Sequence, residues 1–159
     1  MSISCEPVAF VRSRFTDVRG MPIQTVAAPE EEAEVVVQEA FEDGLQDIGG
    51  FEYLILVTHF HRVREQRLRV MPFLDQQERG VFATRAPARP NRIGLSIVQL
   101  VEVRGRILRV RGVDMLDGTP VLDIKPYVPR FDVRATRRIG WFESRLDALD
   151  DTRADDRMA

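Results

Sequence analysis

The chain predicts a mainly β fold, a small mixed-direction β-barrel with short flanking helices. Three observations carry this expectation. Extended apolar segments recur along the chain, and a long hairpin pattern turns at Gly105 between Ile93 and Leu116. Only one stretch has clear helical periodicity, and strands do not alternate regularly with helices, which argues against a doubly wound domain.

The elements follow in order. CEPVAFVRS, from Cys5, reads as a first strand, and RFTDVRGMPIQTV as a turn-rich loop. A second strand is expected over 33–38. EAFEDGLQDIGG places Ala40, Phe41, Leu45 and Ile48 at helical spacing before two glycines, so a short helix is expected. FEYLILVTHF is almost continuously apolar and reads as a central strand buried on both faces. QRLRVMPF is a strand or barrel-edge segment. In the hairpin, Ile97, Leu100 or Val101, and Val103 precede Gly105, and Ile107, Leu108 and Val110 follow it. DGTPVLDIKPYVP then supplies a tight turn, a short strand and a proline-bounded exit. Residues 1–145 are expected to form one barrel domain and 146–159 a charged, flexible tail.

Composition narrows the function classes. At 44% hydrophobic the chain can bury a real core, yet no apolar run is long enough for a membrane-spanning helix. MSISCEPVAF lacks the basic flank and apolar stretch of a secretory signal, so a cytoplasmic protein is expected. Cys5, the single cysteine, cannot form an internal disulfide and has no CxxC partner for zinc. Net charge is −2, but the charges are segregated. Glu30 to Glu52 holds nine acidic residues and no basic one, whereas His59 to Arg111 holds twelve arginines against four acids. That local surplus is enough for a polyanion to dock on an acidic protein.

Two clusters carry candidate chemistry. GVFATRAPARPNRIGLS sets Arg85, Arg89 and Arg92 around Pro87 and Pro90, whose rings stiffen the loop and hold guanidinium forks at fixed separation. Asn91 adds donor and acceptor capacity, Gly94 permits close approach or a special backbone angle, and Ser96 offers a hydroxyl. DMLDGTPVLDIKPYVPRFD brings Asp114, Asp117, Thr119, Asp123, Lys125 and Tyr127 around an Asp-Gly turn. The competing reading makes Asp117 and Thr119 simple turn-formers and the arginines a solvated face. His59 and His61, two apart, would point to one side of an extended strand beside a ligand. No third group completes a metal motif, so no metal is expected. Neither GxGxxG nor a P-loop occurs, and no nucleophile, base and orienting residue form a recognisable set.

Taken together, these two motifs resemble the TsaA-like (YaeB-like) family, and the likeness extends through PVAFVRSRF and GGFEYLILVTHFHR over roughly residues 6–142. The resemblance implies a small β-barrel, usually a homodimer, that binds S-adenosylmethionine. It also implies methyl transfer to N6 of threonylcarbamoyladenosine beside the tRNA anticodon. On that basis Arg89, Asn91, Gly94, Leu95, Ser96, Asp117, Thr119 and Lys125 are expected around the cofactor, and Arg85, Arg92, His59 and His61 around the substrate. Asp114, Asp117 and Tyr127 are expected to organise the acceptor proton. The hairpin, Ile139, Trp141 and Phe142 are candidates for the dimer contact. The family loop is closer to TRSPxRPNPIGLS, so Ala86 stands for its serine and Arg92 for a proline. Longer members carry a further carboxy-terminal domain for which this chain has no room. The alternative is a nonenzymatic RNA- or nucleotide-binding barrel module.

Overall fold

The computed structural model describes residues 1–155; the last four positions of the expected tail, 156–159, lie outside the described residues. Six strands close into a barrel. They are β1 (Ala9–Arg12), β2 (Glu32–Val37), β3 (Tyr53–His59), β6 (Ile93–Arg104), β7 (Ile107–Arg111) and β8 (Pro120–Pro126), ordered β1-β2-β7-β6-β3-β8 with β8 returning to β1. A separate ribbon pairs β4 (Arg69–Val70) with β5 (Arg79–Gly80), so QRLRVMPF lies outside the barrel. Every pairing among the described strands is antiparallel, so the mixed directions expected from the sequence do not occur. Closure leaves the barrel without an open sheet edge.

Alternation along each strand fills the interior. Val11, Val35, Leu54, Leu56, Val98, Leu108, Val110 and Val121 are completely buried and form one core with Val113. In β3 the inward residues Leu54, Leu56 and Thr58 are buried, while Ile55 and Val57 on the outer face are half-buried. The continuous apolar run therefore does not mean burial on both sides. In an antiparallel barrel only the inner face meets the core, and the outer apolar residues face something else.

Two sequence expectations differ from the structure here, and the hairpin turn agrees with it. The first strand begins at Ala9, and Cys5 precedes it and is exposed. The expected helix is two separate 3-10 turns, Glu39–Leu45 and Ile48–Gly50, interrupted where Asp47 takes a left-handed φ of 65°. Phe41, Leu45 and Ile48 still pack on the core, but Ala40 is exposed. The spacing marked three of the four apolar contacts and not the helix type. The hairpin turn falls at Gly105, whose φ of +54° suits a residue without Cβ.

The register orients the barrel. His59 pairs with Ile93 and Thr58 with Val121, so this end holds the start of β6, the 112–119 loop before β8 and the 60–92 excursion after β3. Tyr53 and Pro126 mark the opposite end, which the 3-10 turns cover. A short helix, α1 (Pro129–Asp132), and the 3-10 turns Gly140–Ser144 and Leu146–Ala148 follow the barrel. Near the end of the described chain, Ala154 exchanges backbone hydrogen bonds with Gly20 and Met21.

Candidate active site

The two sequence clusters meet at the His59 end of the barrel. The Ser96 hydroxyl, on the inner face of β6, donates to Asp114 Oδ1 at 2.7 Å. Part of the Asp114 residue is reachable by solvent, but protein surrounds its carboxyl group, and that burial pushes its pKa up to about 6. The Ser96 hydrogen bond and the positive charge of Arg85 oppose the rise. Asp117, next in the same loop, accepts from the Ser13 backbone N–H at 3.1 Å, and the Ser13 hydroxyl donates to the Met115 carbonyl at 2.8 Å. Ser13 escaped the sequence reading; its only signal was its place just after the first strand. Thr119 is buried with its hydroxyl on the Leu116 carbonyl, 2.7 Å away. Asp117 and Thr119 thus shape the turn.

The histidines do not share a strand face. β3 ends at His59, and His61 lies in the turn beyond it. Its imidazole reaches across the barrel mouth, so that a methyl on Gly118 would lie 4.0 Å from Nε2. Burial, with Arg62 and His59 nearby, lowers the His61 pKa, and Asp117 resists that change. Among the described residues no cluster of three or more His, Cys, Asp or Glu side chains is arranged to hold a metal.

The arginine loop is built as a rigid roof beside this mouth. Arg89 turns its Nη1 inward, 2.8 Å from the Thr84 carbonyl and 3.2 Å from that of Val81, and so ties the loop to its own backbone. Ala86 and Ala88 are buried against Val70 and Val81, which explains a methyl group at position 86. Arg92 takes a φ of 53°, a value a proline ring forbids, so the proline of the resembling motif could not keep this backbone. The Arg92 carbonyl accepts from the Phe60 N–H at 2.8 Å, and its guanidinium donates to the Arg64 carbonyl at 3.1 Å. Arg85 and Asn91 remain exposed. Gly94 faces inward, where an added Cβ would meet Thr58 Oγ1 at 2.6 Å; packing accounts for the missing side chain.

Other predicted ligand residues lie on the outer face of β8, β3 and β6. Val57 stands between Asp123 and Leu95 in the register, and Ile55 between Lys125 and Ile97. With Ile93, 44% exposed, Leu95, 53% exposed, and Ile97, 37% exposed, this makes an open apolar strip beginning at His59. Lys125 pairs with Asp123 at 2.6 Å on its flank. Tyr127 is not with Asp114 and Asp117. Its ring meets Tyr53 edge-on at 6.3 Å at the opposite end of the barrel, about 20 Å along the strands from the mouth. The structure therefore does not bring the three proposed proton-handling residues together in one chain.

Electrostatics divide the arginines into two groups. On the barrel wall Arg109 and Arg111 pair with Glu32 and Arg106 with Glu42, both from the acidic segment, while Arg104 pairs with Glu102 of its own strand, so the β6–β7 arginines are neutralised. In contrast, Arg62, Arg85, Arg89 and Arg92 donate to neutral oxygens of Thr16, Gln24, Val81, Thr84, Ala86 and Arg64. No carboxylate is their hydrogen-bond partner in these contacts, so their positive charge stays on the loops around the mouth.

The fold and site define a small antiparallel barrel protein with a buried carboxyl group of raised pKa and an arginine roof at one mouth, and an open apolar strip on the outer wall that leads from it. The chain belongs to the tRNA-methyltransferase O N-terminal domain family, whose model matches residues 10–133. It is 50% identical over 158 residues to a probable S-adenosyl-L-methionine-binding protein of Pyrococcus abyssi, a match covering 99% of this chain and 86% of that protein. It is 34% identical over 134 residues to the tRNA (adenine(37)-N6)-methyltransferase of Mus musculus, covering 80% of this chain but 31% of the mouse protein. The crystal structure of TrmO from Pseudomonas aeruginosa superposes with a TM-score of 0.75 at 36% identity, over 89% of this chain and 63% of that one. The chain thus spans less than two thirds of the Pseudomonas chain and about a third of the mouse protein.

Proposed function

We propose that this chain is a cytoplasmic S-adenosylmethionine-dependent methyltransferase acting on an adenine N6 of tRNA, with N6-threonylcarbamoyladenosine beside the anticodon as acceptor. The observation that carries the reading is Asp114, held by Ser96 on the inner face of β6 at the barrel mouth and within the field of Arg85, with an open apolar strip on the outer face of the same strand. The residues on that strip suit the cofactor. Ile93, Leu95 and Ile97 offer an apolar surface for an adenine, Asn91 offers amide hydrogen bonds, and the Lys125–Asp123 pair matches a zwitterionic amino-acid end. Arg89, Gly94, Ser96, Asp117 and Thr119 contribute by shaping the loop and mouth around it. When bound, S-adenosylmethionine supplies a methyl group already activated by a sulfonium.

The protein's work is then alignment and proton handling. Arg85 and Arg92 meet the threonyl carboxylate or a neighbouring phosphate, and His59 and His61 border the same opening. The carbamoyl carbonyl makes the acceptor N–H more acidic than that of an ordinary exocyclic amine. With cofactor and acceptor in place, Asp114 would take the proton that N6 gives up on methylation. The test is incubation with labelled S-adenosylmethionine and tRNA carrying threonylcarbamoyladenosine, followed by nucleoside mass spectrometry. A threonylcarbamoyladenosine with one added methyl group is expected. Saturable cofactor binding with no methylated nucleoside would leave the binding-module reading in its place.

The active form is a homodimer in this reading. The strip is exposed on one chain, and Lys125 and Tyr127 stand away from the mouth, so a second copy laid on β6 would cover the cofactor face. Light scattering of the active protein should give about twice the chain mass; a monomer with full activity would defeat the assignment.

A further inference from the structure

One buried charge lies outside everything described so far. The Asp75 side chain is 0% exposed, between the two strands of the β4–β5 ribbon. Its Oδ2 accepts from Arg79 Nε at 2.9 Å and Nη2 at 2.7 Å. Its Oδ1 accepts from the Gln76 N–H at 2.8 Å and from Arg145 Nη2 at 3.4 Å. A fully buried carboxylate with that many donors holds its neighbours in place, because breaking any pair would leave a charge stranded.

Arg145 comes from 70 positions further along the chain, just after the Gly140–Ser144 turn. The same turn reaches the ribbon a second way. Trp141 stacks on Phe142 with centroids 3.9 Å apart, and the Arg79 guanidinium lies 5.7 Å over the Trp141 ring. The Trp141 indole N–H donates to the Ala83 carbonyl at 2.8 Å. Ala83 ends the turn whose Val81 carbonyl, with that of Thr84, receives Arg89. Contacts therefore run without a break from Arg145 through Asp75, Arg79, Trp141 and Ala83 to the base of the arginine loop.

We propose that Gly140–Arg145 is a strap that sets the arginine loop for its anionic substrate, with Asp75 and Trp141 as positioning residues. The strap touches the loop from behind and leaves Arg85 and Arg92 facing outward, so its role is the loop's shape and not ligand contact. This rests on the tRNA reading above for the nature of the substrate, though the strap itself does not.

The experiment uses the full chain and the variants Asp75→Asn, which is isosteric, and Trp141→Phe, which keeps aromatic character. Trp141→Phe keeps an aromatic ring beside Arg79 and Phe142 but removes the indole donor and part of the ring area. Val35→Ala, a core change in β2 remote from the strap, serves as a matched loss of stability. Both strap variants should raise the KM for tRNA at least tenfold while cofactor affinity stays within twofold. Amide exchange at Ala86 and Arg92, whose N–H groups are bonded within the loop, should accelerate in the strap variants and not in Val35→Ala. Unchanged loop exchange, an unchanged KM, or an equal effect from Val35→Ala would overturn the strap. A parent protein that methylates no tRNA would instead sink the functional reading, while exchange at these amides still decides whether the strap holds the loop.

Discussion

Asp114→Asn should give a protein that is more stable at pH 8 and far less active. The folded-state pKa of about 6 lies above the ordinary 3.8, so the folded protein keeps a proton that the unfolded chain releases. Stability contributed by this group therefore falls as pH rises from about 4 to about 6, and the penalty is constant above that window. Its ceiling is about 3 kcal/mol, lowered by the solvent that reaches part of the residue. Asparagine removes the penalty and still offers Oδ1 to the Ser96 hydroxyl, so the 2.7 Å contact has no reason to break. Thermal unfolding should show the variant ahead of the parent at pH 8 and level with it near pH 3.5. Loss of the base should cost about 100- to 10,000-fold in kcat with cofactor affinity unchanged. In the parent, kcat/KM should drop about tenfold per pH unit below about 6, where Asp114 is protonated. An Asp114→Asn variant that turns over normally would remove this residue from the chemistry and leave its raised pKa a consequence of packing alone.

The barrel was legible because its signals are local. Alternating Val35 and Val37, the Gly105 turn and the Asp117-Gly118 corner each state a preference that closure merely joins. The two motifs also announced a shared site, since both flank strands that end at the same mouth. What could not be read is what the side chains do once they meet. Arg89 looked like a fork for a ligand, yet it bonds to carbonyls of its own loop, because the 81–86 turn presents those oxygens on one side. Tyr127 looked adjacent to Asp117 because only ten positions separate them, but β8 is extended and carries it to the far end of the barrel. The Asp75 cluster was invisible, since its partner Arg145 is remote in sequence and no periodicity links them. Likewise, twelve arginines could not be sorted into paired and unpaired sets before the acidic strand β2 was placed beside β7.

Gly94 is the sharpest case of that limit, and Gly94→Ala should be among the most damaging single substitutions in the chain. Its φ is not left-handed, so alanine meets no conformational objection; the objection is spatial. The added Cβ would lie 2.6 Å from Thr58 Oγ1, 2.8 Å from Phe60 Cζ and 3.0 Å from Phe60 Cε1. Thr58 is 1% exposed and β-branched, so its hydroxyl has no free rotamer to take. Overpacking of this kind costs about 1–3 kcal/mol, which for a domain of this size lowers Tm by roughly 2–12 °C. The strain would also travel. Phe60 donates its N–H to the Arg92 carbonyl at 2.8 Å, so displacing its ring pulls on the arginine loop, and tRNA use should fall further than stability alone accounts for. Cutting the obstacle back separates packing from ligand contact. In a Thr58→Ala, Phe60→Leu background the alanine at 94 should be tolerated, with a coupling of more than about 1 kcal/mol between the sites. Were Gly94→Ala instead to leave Tm intact and abolish cofactor binding in both backgrounds, the glycine would be keeping space for the ligand, and the wall that Thr58 and Phe60 raise behind it would be incidental.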